Sequence, residues 1–316
     1  MASLRQSTVD GYKSAVAEFT DYADRRGLML STPTLADDAL SLYFEDLFFA
    51  GEPQYLGRNA LRGLCKLRGW SAGKPHFQKA KDSLSGWSAK LPSMPREPPP
   101  FEAIQLTCKV LDNGPTSDLL VALACVTAFD MYFRPGELLA IQPQHVFGSK
   151  SAIRSSDVTV VVAPLGEDKP SKNKDYDCTV KAGTDLPVRR VVPEILVSLR
   201  KRARRLHLPT LFHPLTLPQF EKTLKLAAAS AKMGEFLSVP HQLRHGGPSH
   251  DALHGVRPID SIQQRGRWRA RESVRIYEKH GSALRQRSKL SADQVSLAAQ
   301  FDDAAVRDIL RRVCST

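Results

Sequence analysis

Between His241 and Tyr277 the chain gathers residue types that act on phosphate esters: His241-Gln-Leu-Arg244-His245, then Gly266-Arg267-Trp268, then Tyr277. A histidine and an arginine three positions apart share one face of a helix. Nine positions separate Trp268 from Tyr277, room for a short turn and a new helical segment carrying the tyrosine. Arginines crowd the same stretch at Arg265, Arg267, Arg269, Arg271 and Arg275. A phenol among so many cations suits a nucleophile that attacks a phosphodiester. The competing reading is a basic amphipathic helix pair with a core tyrosine.

Arg134 decides between them. It follows a long apolar run, Leu119 to Phe133, charged only at Asp130, and opens Arg134-Pro-Gly-Glu137-Leu-Leu. The run predicts a buried helix that delivers an arginine at its exit. Pro135 suits the first turn of a following helix, where its missing N–H costs nothing. Glu137, three positions on, can reach back and orient the guanidinium. Phosphoryl transfer without a metal needs at least two arginines on the nonbridging oxygens, where transition-state charge accumulates. Arg134 and Arg244 supply that pair.

Taken in order and at these spacings, Arg134-Pro-Gly-Glu137, His241-x-x-Arg244, Trp268 and Tyr277 resemble the tyrosine recombinase (phage integrase) family, over roughly residues 101 to 285. The resemblance implies DNA strand exchange through a covalent 3′-phosphotyrosyl intermediate, with neither metal nor nucleotide cofactor. It makes Arg134 and Arg244 the phosphate clamp, Tyr277 the nucleophile and His241 a helper in moving the tyrosine proton. Trp268 stands where many members carry histidine and others tryptophan. An indole donates only through its N–H, so Trp268 can bind a phosphate oxygen but cannot accept a proton.

The same resemblance implies a lysine on a β-hairpin, acting as general acid toward the leaving 5′-oxygen. Val158 to Ala163 is a β-branched run that reads as one strand, and Tyr176 to Ala182 alternates well enough for the second. The polar turn between them offers Lys169, Lys172 and Lys174. Lys172 fits the pattern best, Lys174 next; the plainer reading leaves all three as solvated turn residues.

A formal charge of +12 suits a polyanionic partner, and its distribution says more. Gln54 to Leu91 holds eight basic residues and one acidic, whereas the first 53 positions are net acidic. Arg58, Arg62 and Lys66 recur every four residues, with Arg68 nearby, so they form a stripe on one helical face. These four and Arg267 are the expected DNA contacts. Arg200-Lys-Arg-Ala-Arg-Arg205 is a second basic cluster, readable as a DNA contact, a nuclear import signal or a solvated helix end.

The 316 residues can hold two domains. Five prolines between positions 92 and 100 predict a stiff linker. Before it, Val9, Tyr12, Val16, Phe19 and Ala23 follow one helical repeat, and Leu40, Tyr43, Phe44, Leu47 and Phe48 another. The expectation is a mostly α (α+β) chain. A helical core-binding domain covers residues 1–91, a Pro-rich linker 92–100, and a mainly helical catalytic domain with a small β-hairpin 101–316. Within the last, Pro193 opens a helix to Leu206, Thr216 caps one from Leu217 to Met233, and Pro240 starts the helix bearing His241 and Arg244, which Gly255 ends. Gly246-Gly-Pro248 inside it predicts a kink.

Pairs of histidines at four-residue spacing, His241/His245 and His250/His254, suggest zinc only weakly, because no Cys- or Glu-rich partner motif accompanies them. Five scattered cysteines without a Cys-x-x-Cys suggest reduced thiols. The longest uncharged apolar stretch is too short to cross a bilayer, and no signal peptide opens the chain. Double-stranded DNA is the expected partner and the nucleus the expected compartment, since the tryptophan variant leans toward recombinases of eukaryotic mobile elements. A catalytically silent DNA-binding descendant and a type IB topoisomerase are the alternatives to an integrating or recombining enzyme. Ser291 to Val313, after a polar break at Arg285 to Lys289, offers an amphipathic face with Val295, Leu297, Phe301, Ala305, Ile309 and Leu310. It is expected to serve as an assembly helix, joining monomers into a tetramer on DNA.

Overall fold

The computed structural model describes residues 6–71, 76–91, 97–148, 158–161, 179–268, 270–278 and 280–315. They divide into two compact units, Met1–Pro95 and Arg96–Thr316.

The first unit is built from α1 (Gln6–Arg25), α2 (Pro33–Phe49), α3 (Tyr55–Arg68) and α4 (Gln78–Lys90). Thr32 accepts the Leu35 N–H and Pro33 occupies the first turn, so α2 begins where its orphan donors are met. Asp37, nearly buried, takes the N–H groups of Lys79 and Ala80 and so caps α4 from a neighbouring helix. Phe19, Leu40, Phe44, Leu61 and Leu64 meet in the core. On α3 the buried face is Ala60, Leu61, Leu64 and Cys65, and Arg58, Arg62 and Lys66 are exposed.

The second unit begins with α5 (Phe101–Leu111), α6 (Thr116–Met131) and α7 (Pro135–Leu139). A small sheet follows: β1 (Val146–Phe147), β2 (Thr159–Val161) and β3 (Thr179–Lys181). Its strands are antiparallel in the order β1-β2-β3, with Val160 opposite Val180. β2 and β3 fall inside the two expected hairpin runs; β1, two residues long, has no periodicity to announce it. Lys169, Lys172 and Lys174 lie outside the described residues. Then come α8 (Val192–Arg205), α9 (Leu217–Ser230), α10 (His241–Leu253), α11 (Ile259–Gly266), α12 (His280–Ser288), α13 (Ala292–Ala299) and α14 (Asp303–Ser315).

Every residue of α6 from Leu119 to Met131 is buried, because α5, α8, α9, α10 and α14 all pack on it. A helix covered on all sides needs no amphipathic period, which is why the run reads as unbroken apolar sequence. Among the described residues no helix is long and apolar enough to cross a membrane.

The C-terminal segment differs from its expectation in two ways. The stretch from Arg285 onward is no polar break, since α12 runs through to Ser288, and the tail is two helices, broken at Phe301. Much of its apolar face also packs within its own unit. Phe301, Val306, Ile309, Leu310 and Val313 are buried in the core of their own unit, α13 against α5 and α14 against α6 and α8. Leu297, of the same expected face, stays exposed.

Candidate active site

The site forms where α10 crosses the exit of α6. Tyr132 closes α6 in the left-handed region at φ 54°, and Arg267 closes α11 in the same way at φ 55°. Each such turn costs a non-glycine residue about 1–2 kcal/mol, and both are held by side-chain bonds. The Tyr132 hydroxyl binds Asp251, and Arg267 pairs with Glu137. The two turns present the Tyr132 and Gly266 carbonyls to Arg244, which donates to them at 2.5 and 2.6 Å. Gly266 has no substitute here: a Cβ would fall 1.7 Å from the Trp268 ring. That ring lies under the Arg244 guanidinium at 4.8 Å and beside the Tyr277 ring at 5.0 Å between centroids.

Glu137 is the hub of the cationic side. Its carboxylate accepts the Arg134 backbone N–H at 2.9 Å and one Arg134 guanidinium nitrogen at 2.6 Å, so the expected reach-back is present. It also pairs with Arg267 and lies 3.7 Å from Arg244. Burial pushes the Glu137 carboxyl up, but Arg267, Arg244 and Arg134 outweigh it and hold the group below its ordinary value. Three guanidiniums thus share one carboxylate. Arg244 feels the imbalance most: burial first, then the neighbouring Arg134 charge, pull it down to about 9. An anion placed there would relieve both effects. Arg134 is the accessible member, with 38% of its side chain exposed, whereas Arg244 is buried behind it.

Tyr277 sits on a 3-10 turn, Arg275–Glu278, instead of on a longer helix, and its side chain is 4% exposed. Burial raises the phenol to about 12, against the opposing pull of Arg244 and Arg134. These two cations, distant in sequence, are the ones that act on it. Two of the arginines nearer in sequence turn elsewhere. Arg265 binds Asp130, and Arg271 lies 3.9 Å from Asp260 at the surface.

Arg267 corrects its expectation as a DNA contact. It is 1% exposed, ion-paired to Glu137, with its guanidinium 5.3 Å from the Phe133 ring centre. It supports the clamp from inside and does not face a duplex. Sequence could not distinguish an inward arginine from an outward one.

Two features went unread. His245, noted only as half of a metal-like pair, places Nδ1 3.0 Å from the Tyr277 hydroxyl, while His241 sits one turn away with its ring 5.1 Å from that of His245. The second is a buried ionic network behind the site. Arg189 binds Asp130 and Asp251; Arg257 also binds Asp251, and Arg265 also binds Asp130. The Asp130 carboxylate further accepts the Gly183 N–H at 2.9 Å, tying the residues after β3 to the end of α6. The one signal was the solitary Asp130 in an apolar run, since a buried charge demands a partner.

No protein-family model matches this chain, and no curated protein matches it in sequence. Among solved structures it is similar to the XerH site-specific recombinase bound to difH substrate, in a pre-cleavage complex, with a TM-score of 0.51 and 14% identity. The match covers 78% of this chain and 67% of that one. This chain has the tyrosine recombinase fold. Within it, the expected residues Arg134, Glu137, Arg244, Trp268 and Tyr277 come from α6's exit, α7, α10, the end of α11 and a 3-10 turn, and meet in one place.

Proposed function

We propose that this protein is a DNA strand-exchange enzyme that cleaves and rejoins DNA through a covalent 3′-phosphotyrosyl bond. The observation that carries the reading is the pair Arg134 and Arg244 gathered at Glu137, set against a buried phenol that feels both of their charges. A scissile phosphate is a ligand that suits such a pair. Arg134 and Arg244 hold its nonbridging oxygens, Tyr277 attacks phosphorus, and the 5′-oxygen leaves with a proton from a hairpin lysine, Lys172 by preference. Trp268 packs between clamp and nucleophile, and its N–H is the donor it can lend to a phosphate oxygen. Phosphate contact along Arg58, Arg62, Lys66 and Arg68 supplies nonspecific grip. Exchange between duplexes calls for four protomers.

The test is incubation with supercoiled plasmid, followed by a denaturing gel for a protein–DNA adduct. Adduct in the wild type and none in Tyr277→Phe is expected. Binding without adduct means a silent DNA-binding descendant. Adduct with relaxation but no joined duplexes, on substrates carrying the DNA that flanks the gene, means a type IB topoisomerase.

A further inference from the structure

We propose that His245 is the catalytic base that takes the proton from Tyr277, an assignment that rests on the strand-exchange reading above. The two groups are 32 positions apart in sequence, yet Nδ1 and the phenolic oxygen lie 3.0 Å apart, within direct transfer distance. Their rings lie 6.0 Å apart and tilted at 33°.

The helix explains why this histidine and not its neighbour. His241 and His245 are one turn apart on α10, on nearly the same face. The 3-10 turn Arg275–Glu278 packs against α10 and brings Tyr277 to the later of the two. His241 meets His245 edge-on at 5.1 Å, while the bond recorded to the Tyr277 hydroxyl comes from His245. Tyr277 from the 3-10 turn and His241 from its own helix both face His245. The charges acting on the shared phenol are Arg244 and Arg134.

The step balances. With Nδ1 unprotonated, the phenol O–H bond breaks and its proton passes to Nδ1. The oxygen's electron pair forms the new bond to phosphorus, and the P–O5′ bond breaks. The 5′-oxygen takes its proton from the general acid. Rejoining reverses each transfer, so His245 ends neutral and no oxidant or metal enters. A buried phenol, held up to about 12, needs such a base near neutral pH.

Two variants separate the candidates: His245→Gln, which keeps an acceptor but cannot titrate, and His241→Gln. Single-turnover adduct formation on supercoiled plasmid is followed from about pH 5 to 9, the range in which imidazole changes charge. His245→Gln should slow adduct formation by about 10²–10³-fold and abolish the acid limb of the profile. His241→Gln should slow it less and keep that limb. The reverse pattern, or equal rates in His245→Gln and wild type, overturns the assignment. A measurement independent of activity is the 15N spectrum of the histidines in wild type and Tyr277→Phe. Loss of the phenol must move the His245 Nδ1 resonance, and an unmoved resonance also overturns it. Wild-type protein that forms no adduct overturns the strand-exchange reading and takes the base assignment with it; a failure confined to His245→Gln leaves that reading standing.

Discussion

Gly247 passes so close to Phe129 that a Cβ there would sit 2.1 Å from the Phe129 carbonyl oxygen and 2.7 Å from the Tyr132 ring. The Gly246-Gly-Pro248 stretch, expected as a kink, lies within an uninterrupted α10 and lets that helix lie directly on α6. This approach brings Arg244 within reach of the Tyr132 carbonyl.

Gly247→Ala should therefore push α10 away and cost about 3 kcal/mol or more, at the upper end of overpacking effects. Gly86→Ala, in α4 with open space around it, should stabilise by about 0.5–1 kcal/mol. Urea unfolding of both variants checks the pair. Equal effects would mean that α10 and α6 are not in backbone contact.

Tyr277→Phe deletes a hydroxyl that hydrogen-bonds to His245. Stability should change by no more than about 1.5 kcal/mol, and DNA affinity should persist while adduct formation disappears. Arg134→Ala or Arg244→Ala should slow cleavage on the order of 10²–10³-fold. Adduct still formed by Tyr277→Phe would move the nucleophile elsewhere.

Arg267 and Arg62 should part company in salt titrations. Arg62 is exposed, so Arg62→Ala should lower the slope of log binding constant against log salt by about 0.9, one phosphate contact. Arg267→Ala should leave that slope alone, cost about 1.5–3 kcal/mol of stability through the lost charged hydrogen bond to Glu137, which keeps Arg134 and Arg244, and impair cleavage. A slope change in Arg267→Ala would restore it as a DNA contact.

Acid should unfold the second unit early. Burial would raise the Asp251 carboxyl, yet His250, Arg189 and Arg257 hold it far below the carboxylate range, and Glu137 is lowered as well. Groups with lowered folded values contribute their stability fully above the unfolded pKa of about 4. That contribution is lost as pH falls through the folded values. Urea midpoints measured downward from pH 6 should fall steeply below about 4, and the slope should flatten in Asp251→Asn. An unchanged slope there would place the acid sensitivity on other carboxylates.

Truncation after Lys289 should unfold the second unit instead of merely preventing assembly. Phe301, Ile309 and Leu310 are among the buried side chains lost, each worth about 1.5–3 kcal/mol. Together they approach the whole stability of a domain, about 5–15 kcal/mol. A truncated protein with native circular dichroism would leave the tail to a role in assembly.

Local order was legible in the chain itself. Helical periods at Val9–Ala23 and Leu40–Phe48, caps such as Thr216, prolines at helix starts and the reach of Glu137 back to Arg134 are all short-range. A few dihedral angles relate the residues involved, so spacing alone places them. The basic stripe on α3 falls in the same class, since a period of four puts Arg58, Arg62 and Lys66 opposite a buried face whatever that face meets. Tertiary packing decided the remainder. Spacing puts His241 and Arg244 on one face of α10, but how the 3-10 turn lies on that helix selects His245 for Tyr277. Arg265, Arg267 and Arg271 are alternate letters of one basic run, yet one turns to Asp130, one to Glu137 and one to the surface. Asp130, Arg189 and Asp251 find one another across 121 positions, and the apolar face of the tail finds α6 and α8 before any neighbour. Charge and hydrophobicity state that a side chain needs a partner; they carry no direction, and direction comes only when helices remote in sequence cross.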